Sequence, residues 1–369
     1  MNGPDDLAVA CRGVRIAYGP AIVVPRLDLE VRRGEMVALL GPSGSGKTTM
    51  LSALAGFIPI QLGEILIGGR PVAGPRRHEP PERRDIAVVF QGYALWPHLS
   101  AIETVEYPIR RRGVAAAEAR RRAAEILDRL GIGELAHRRP AELSGGEQQR
   151  VGLGRALARA ASVYLFDEPT AHLDSTLREL LQSEIADHRR RSGAAAIYAT
   201  HDTAEALALA DRVVLLRDGR IVQEGSPATV YERPVDVWAA RLTGPASIIP
   251  VRIADEHDGR ARLDVAGSSQ TVAVAAAGAL GQGEVRAIVR PDWVHLGGDI
   301  PARVEAVAFR GTHTDYQLAT AAGPVGVRVP GPPVTSRGES VGLTLERAWI
   351  LAEPNESDLA EQPSAVMAH

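Results

Sequence analysis

The stretch Gly41-Pro42-Ser43-Gly44-Ser45-Gly46-Lys47-Thr48-Thr49 decides how this chain reads. It fits the phosphate-loop pattern G-x-x-x-x-G-K-[ST], with Gly41, Gly46, Lys47 and Thr48 in the fixed places. It follows an apolar run, Met36 to Leu40, that reads as a buried strand, and Thr48 to Ala55 reads as a helix ended by Gly56. In such a loop the glycines let backbone N–H groups converge on phosphate oxygens, and the helix N-terminus adds favourable partial charge. Lys47 then reaches the β and γ phosphates, and the Thr48 hydroxyl ligates Mg²⁺. Lys47 is also the single lysine among 42 basic residues, so every other positive charge is an arginine. A compact ammonium fits between two phosphates where a planar guanidinium does not.

Working outward, 369 residues suggest two or three domains. With 45% apolar and 24% charged residues the composition is that of a soluble globular protein, and a net charge of −3 gives no global pointer to nucleic acid. Cys11 is the only cysteine, which excludes an internal disulfide and a cysteine-based metal cluster and fits a reducing compartment. No apolar run is long enough to span a membrane and no signal-like N-terminus is present, so work at a membrane would go through a partner.

Leu7 to Val31 alternates apolar and polar positions around Tyr18-Gly19-Pro20, which predicts an antiparallel pair with a turn; Tyr18 on its own reads as a half-buried strand aromatic. Glu64 to Ile67 and Ile86 to Phe90 read as strands, with Pro71 to Arg84 between them as an exposed loop. From His98 to Arg139 the pattern is helical, with Ala119, Ala123, Ile126, Leu127 and Leu130 on one face and Glu118 paired to Arg122 on the other. Ser144-Gly145-Gly146 then starts a second helix suited to an anion, running to about Ala161. Val163 to Phe166 is continuously apolar, as a parallel strand covered on both faces should be, and it ends in Asp167-Glu168-Pro169. Carboxylates at that end of a strand lie at the ligand crevice of an open α/β sheet. A helix, Ser175 to Arg191, leads to a strand, Ala195 to Thr200, that delivers His201 and Asp202; Thr203 to Ala210 is helical, and Val213 to Leu216 with Ile221 to Glu224 forms a hairpin. Beyond Thr243-Gly244-Pro245 come eight short β-like runs divided by glycine and proline, which predicts a small barrel or sandwich.

Together these stretches resemble the nucleotide-binding subunit of an ATP-binding cassette (ABC) transporter. The resemblance implies an α/β P-loop cassette over residues 1–242, with a mixed sheet core, an antiparallel β subdomain and a helical subdomain at about 92–160; a small all-β OB-like transport-associated domain over 243–352; and a disordered tail, 353–369. It implies ATP and Mg²⁺ as ligands. By resemblance Tyr18 stacks on adenine, Gly41 through Thr49 (with Pro42, Ser43, Gly44, Ser45) is Walker A, and Gln91 is the Q-loop residue near Mg²⁺ and the attacking water. Leu143 to Arg150 looks like the signature, with Ser144, Gly145, Gly146 and Glu147 on nucleotide; Val163 to Glu168 looks like Walker B, Asp174 closes the D-loop, and His201 is the switch histidine. Two cassettes would pair head to tail, so that Ser144-Gly145-Gly146 of one copy caps the γ-phosphate held by Lys47 of the other. Thr48, Gln91 and Asp167 would hold Mg²⁺, and Glu168 would act as general base.

The same resemblance implies a permease partner, an external solute-binding protein acting indirectly, no nucleic acid, and a place on the cytoplasmic face of the inner membrane. Leu95, Trp96 and Pro97 read equally as a permease docking surface or as core of the helical insert. His172 stands in the D-loop where the family has a small residue, and Thr104 where it more often has asparagine. Arg290-Pro291-Asp292 carries the resemblance of the β-rich part, and Phe309-Arg310-Gly311 before the Tyr316 strand leans toward the polyamine and ferric-iron branch of importers. A soluble ABC ATPase acting on ribosomes or nucleic acid would carry two cassettes, a coiled coil or a zinc insert, and an exporter would lack the β-rich domain.

Overall fold

Two long strands open the fold, β1 (Leu7–Tyr18) and β2 (Ala21–Arg32), turned at Gly19 and paired from Leu7↔Arg32 to Tyr18↔Ala21. Strand β3 (Met36–Leu40) is buried at every position and runs straight into the phosphate loop and helix α1 (Lys47–Ala55). Then come β4 (Leu62–Ile67), β5 (Arg70–Gly74), β6 (Arg77–His78) and β7 (Ile86–Val89). The helical insert holds α2 (Ala101–Arg110), α3 (Ala116–Arg129) and α4 (Gly145–Leu157). After it follow β8 (Val163–Asp167), α5 (Ser175–Ser192), β9 (Ala195–Thr200), α6 (Thr203–Leu209), β10 (Arg212–Arg217) and β11 (Arg220–Gly225). This computed structural model describes residues 6–90, 92–171, 173–257, 260–276 and 283–351; Gln91, His172 and the tail 353–369 lie outside them.

The strands of the first unit (Met1–Pro227) form two sheets, an antiparallel one in the order β2-β1-β4-β5-β6 and a six-stranded one in the order β11-β10-β3-β9-β8-β7. The second is parallel except for the β10–β11 hairpin, whose turn holds Asp218 and Gly219 at positive φ. Its central strands are apolar without alternation because both faces are covered. One face packs with α1 against the antiparallel sheet, burying Val37, Leu39, Leu165 and Ile197 with Val9 and Leu54. The other buries Met36, Phe166 and Tyr198 under the helical insert through Val105, Leu127 and Leu153.

The stretch 71–84 corrects the sequence expectation of an exposed loop. Pro71 lies on β5 opposite Leu66, next to a register irregularity, and β6 at the sheet edge reaches only Ala73 and Gly74, so the missing proline N–H costs no ladder bond. Arg84, at 1% exposure, is part of the core. Its Nη1 donates to the Ala53 and Leu54 carbonyls, both at 2.7 Å, and its Nε to Glu79 O at 2.8 Å. A guanidinium here adds to the Gly56 backbone cap at the end of α1, bonding the Leu54 carbonyl and sharing that of Ala53, and complements the negative end of the dipole. Gly56, at φ 90°, must lack a Cβ because that atom would stand 2.7 Å from Arg84 Nε and 2.8 Å from Glu79 O.

The second unit (Ala228–His369) carries α8 (Val237–Leu242) ahead of its strands, after the short helix α7 (Pro227–Glu232) that spans the division between the units. It therefore begins before the compositional change at Thr243. Strands β12 (Ser247–His257), β13 (Arg260–Val265), β14 (Ser268–Ala276), β15 (Gly283–Val289), β16 (Val294–Phe309), β17 (His313–Thr320), β18 (Gly323–Pro330), β19 (Ser340–Leu345) and β20 (Arg347–Ile350) follow. β12-β13-β14-β20-β15 close a barrel, and β18-β17-β16-β19 form a separate sheet. Arg290, fully buried, explains its motif: it donates to the carbonyls of Tyr231, Ala240, Gly244 and Pro245 and to Thr243 Oγ1, with its guanidinium 4.1 Å from the Tyr231 ring centroid. One side chain thus ties the strand end to the two short helices.

Two predictions follow from this packing. Arg84→Ala removes the guanidinium from the Ala53, Leu54 and Glu79 carbonyls and leaves a buried gap, and should cost about 3 kcal/mol of stability, read as a lower chemical denaturation midpoint. His188 on α5 meets the Tyr164 hydroxyl at 2.7 Å, and burial together with Arg191 and Arg129 pushes its pKa down from 6.5 to about 4. The folded state therefore binds fewer protons than the unfolded one below pH 6.5, so stability present above 6.5 is lost as pH falls toward 4. His188→Gln should flatten the fall in melting temperature between pH 6.5 and 5; an unchanged slope would remove His188 as its source.

Candidate nucleotide site

The loop after β3 turns tightly into α1. Gly44 and Gly46 take φ of 83° and 99°, the left-handed region where side chains are strained. Gly41 is required by close approach, since a Cβ there would stand 2.4 Å from Leu216 O and 2.7 Å from Ser45 Oγ. Lys47 is 6% exposed, its Nζ donating to Gly41 O at 2.7 Å and Pro42 O at 3.1 Å. Burial lowers its pKa, opposed by the charges of Glu168 and Asp167. The buried Ser45 Oγ has no protein partner, as a hydroxyl in a phosphate cradle should. These groups fit a phosphate.

The end of β8 supplies the facing carboxylates. Thr48 Oγ1 donates to Asp167 Oδ1 at 3.1 Å, and burial raises the Asp167 pKa against the favourable pull of Thr48. Asp167 pairs with Ala199 on β9, and the next residue still donates its N–H to Ala199 O at 3.0 Å. Glu168 leaves the strand at φ 48°, outside the range its side chain prefers. That turn aims its Oε1 at His201 Nδ1, 3.0 Å away at the end of β9. Lys47, Thr48, Asp167, Glu168 and His201, dispersed in sequence, therefore converge at one end of the parallel sheet.

Other expected residues lie apart. Tyr18 closes β1 and is 51% exposed, as a free stacking face would be. Ser144 caps α4 in a reciprocal box: its Oγ accepts from Glu147 N at 3.4 Å, and Glu147 Oε2 accepts from Ser144 N at 2.8 Å. The Glu147 carboxylate is thereby committed to its own helix. Nothing lies within 4 Å of a Cβ built on Gly145, so the start of α4 is uncrowded there, while the Glu147 N–H of its first turn is taken by Ser144. Gly146 sits under Leu173, whose Cδ2 would be 3.3 Å from an added Cβ. Asp174 caps α5 by accepting from Leu177 N at 2.9 Å. Of the coupling stretch, Leu95 packs against the helical-insert core, and Trp96 packs on Tyr107 at 5.1 Å with Arg155 over its ring.

Two further buried residues, Gln149 and Glu205, have bonding roles that the sequence does not signal. Gln149 on α4 is buried and donates through Nε2 to Pro169 O. Glu205 on α6, also buried, accepts from Thr170, Gln182, Tyr198 and Thr200. A glutamate in a helix's first turn reads as a dipole partner, and no sequence pattern separates that case from a buried hub.

A phosphate cradle at a strand–helix junction, with two carboxylates and a histidine at neighbouring strand ends, defines a nucleoside-triphosphate-hydrolysing cassette. Residues 24–171 match the family model described as ABC transporter, and residues 287–352 that of the TOBE domain. Over 317 residues the chain is 40% identical to the Fe(3+) ions import ATP-binding protein FbpC of Brucella abortus, covering 85% of this chain and 88% of that protein. It is 39% identical over 305 residues to the spermidine/putrescine import ATP-binding protein PotA of Thermobifida fusca, covering 80% and 78%. Among solved structures, a dimeric ATP-binding cassette in a post-hydrolysis state bound to ADP and Pi superposes with a TM-score of 0.54 at 31% identity, covering 59% of this chain and 98% of that one. The chain belongs to the ABC transporter family, among its import ATP-binding subunits, and is an ATPase that carries a C-terminal TOBE domain.

Since a methyl on Gly41 must displace the Leu216 carbonyl or the Ser45 side chain, Gly41→Ala should weaken ATP binding at least about tenfold by distorting the cradle. Titration with a fluorescent ATP analogue checks this, and wild-type affinity would contradict it.

Proposed function

We propose that two copies of this chain bind two ATP molecules between them and power a membrane permease on the cytoplasmic face of the inner membrane, importing a solute of the ferric-iron or polyamine class. The observation that carries the reading is the 3.0 Å approach of Glu168 to His201 beside the Thr48–Asp167 pair. Lys47 neutralises the β and γ phosphates once ATP displaces it from the Gly41 and Pro42 carbonyls, and the loop N–H groups hold their oxygens. Thr48 and Asp167 offer hydroxyl and carboxylate oxygens of the kind Mg²⁺ takes, with Gln91 assigned alongside them by resemblance; bound there, the ion neutralises phosphate charge.

Glu168 orients a water for in-line attack and takes its proton, and His201 steadies charge on the γ-phosphoryl oxygens. Tyr18 stacks on adenine. Ser144, Gly145 and Gly146 of the opposing copy cap the γ-phosphate, which the uncrowded surroundings of Gly145 support, while Asp174 and Glu147 hold the two helix starts in shape. The dimeric cassette among the structural neighbours supports pairing. Among the described residues no helix is long and apolar enough to cross a membrane, and the relatives are import ATP-binding proteins, which supports work through a separate permease fed by an external binding protein.

Glu168→Gln should bind MgATP with wild-type affinity while turnover falls about 10²- to 10⁴-fold. Near-normal hydrolysis in that variant would take Glu168 out of the role. Chelation of Mg²⁺ should abolish phosphate release in the wild type and restore it on adding the metal back.

A further inference from the structure

Glu205 is 6% exposed and carries a full set of donors on both carboxylate oxygens. Its Oε1 accepts from Thr170 Oγ1 and from Gln182 Nε2 at 3.2 Å; its Oε2 accepts from Thr200 Oγ1 at 2.9 Å and from Tyr198 OH at 3.2 Å. Arg178 on α5 lies 3.7 Å from Oε1, while its other nitrogens reach Leu173 O at 3.2 Å and Asp202 Oδ2 at 3.6 Å. A charge buried in this way is expensive unless its lone pairs are used, and here they are used on three segments: the turn after β8 through Thr170, α5 through Gln182, and β9 through Tyr198 and Thr200.

Those segments carry the reacting groups. Thr170 is two residues beyond Glu168, and the turn between them closes through Ala171 N to Glu168 O at 3.3 Å. Thr200 precedes His201, and its Oγ1 also accepts from Asp202 N at 2.9 Å, so His201 is held on both sides. Asp202 in turn caps α6, accepting from Ala204 N at 2.8 Å and Glu205 N at 3.2 Å. A cavity of about 110 Å³ is lined by Glu168, Thr170, Arg178, His201 and Glu205 together. Glu168 needs outside support because its backbone sits at φ 48°.

We infer that Glu205 is a positioning residue that fixes the Glu168 turn relative to the His201 loop and joins both to the helix that follows the D-loop; this rests on the hydrolytic reading above. Glu205 does not reach the phosphates. It acts by holding two strand ends at the separation that lets a base and a charge stabiliser serve one γ-phosphoryl group. Removing its charge takes the buried anion away from Arg178, and the glutamine amide replaces one of the two accepting oxygens, so that either the Thr170 hydroxyl or the Tyr198 and Thr200 hydroxyls lose their acceptor; the turn relaxes while the phosphate loop, which is not among the groups bonded to Glu205, does not.

The test compares full-length wild type, Glu205→Gln and Thr170→Val for kcat and KM in steady-state MgATP hydrolysis, with affinity for a fluorescent ATP analogue measured alongside. The expected result is a fall in kcat of about tenfold or more in Glu205→Gln and a smaller fall in Thr170→Val, with KM and affinity within about twofold of wild type, since a small misplacement of the base costs rate and not binding. Unchanged kcat in both variants overturns the inference, as does a fall in kcat matched by lost affinity. If Glu205→Gln does not fold, the kcat-against-KM split of Thr170→Val decides alone. A wild-type chain that hydrolyses no ATP would instead overturn the functional reading, and the inference with it.

Discussion

A triphosphate concentrates negative charge that a protein can hold only by aiming many donors at one spot, and the spot here is defined by a single contact. Thr48 and Asp167 are 119 residues apart in sequence and 3.1 Å apart in space, across the strand β9 that separates β3 from β8 in the sheet. For them to meet, β3 and β8 must run parallel and in register with β9, and the register is continuous: Leu40 lies beside Thr200 and Asp167 beside Ala199. Everything packed on that sheet serves the alignment. The helical insert covers one face and the antiparallel sheet with α1 the other, so the central strands are buried and their carboxylates and histidine gather at one end.

That constraint explains which parts of the fold were legible. Met36–Leu40, Val163–Phe166 and Ala195–Thr200 read as strands because burial on both faces removes alternation and leaves apolar runs too short for helices. The phosphate loop and the Asp167-Glu168 strand end were readable for the same reason, since polar residues stand out beside such runs. Arg84 was not: an arginine among prolines carries the composition of a loop, and only the position of the α1 carbonyls makes it core. Helices α7 and α8, six residues each, fall below the length at which propensity signals a helix, and they are held by tertiary bonds such as Arg290 to Tyr231 O and to Ala240 O. Strand β20 has four residues and is fixed by its partners in the barrel.

Charge chemistry in this chain divides by residue type. Arginine does the structural work, because a planar guanidinium satisfies several carbonyls at once: Arg84 under α1, Arg290 against the α8 end, Arg178 between the D-loop side and α6. The single ammonium, Lys47, stands in the phosphate loop, on the Gly41 and Pro42 carbonyls. Glu168 and Glu205 differ similarly, one on a strained turn against His201 and one buried with saturated oxygens. In the sequence Glu168 stands out because it directly follows an apolar strand, whereas Glu205 lies inside a helix and gives no such signal; its burial and bonding partners reveal it.

The central claim is that this ATPase works through a membrane partner, and isolating it from its own membranes tests that most directly. The tagged Glu168→Gln chain would be recovered from detergent-solubilised membranes of its host with MgATP present and again without nucleotide, and its companions identified. The account predicts a polytopic membrane protein in stoichiometric amount. Recovery of ribosomal or nucleic-acid components with no membrane protein would leave the cassette standing and contradict the transport reading.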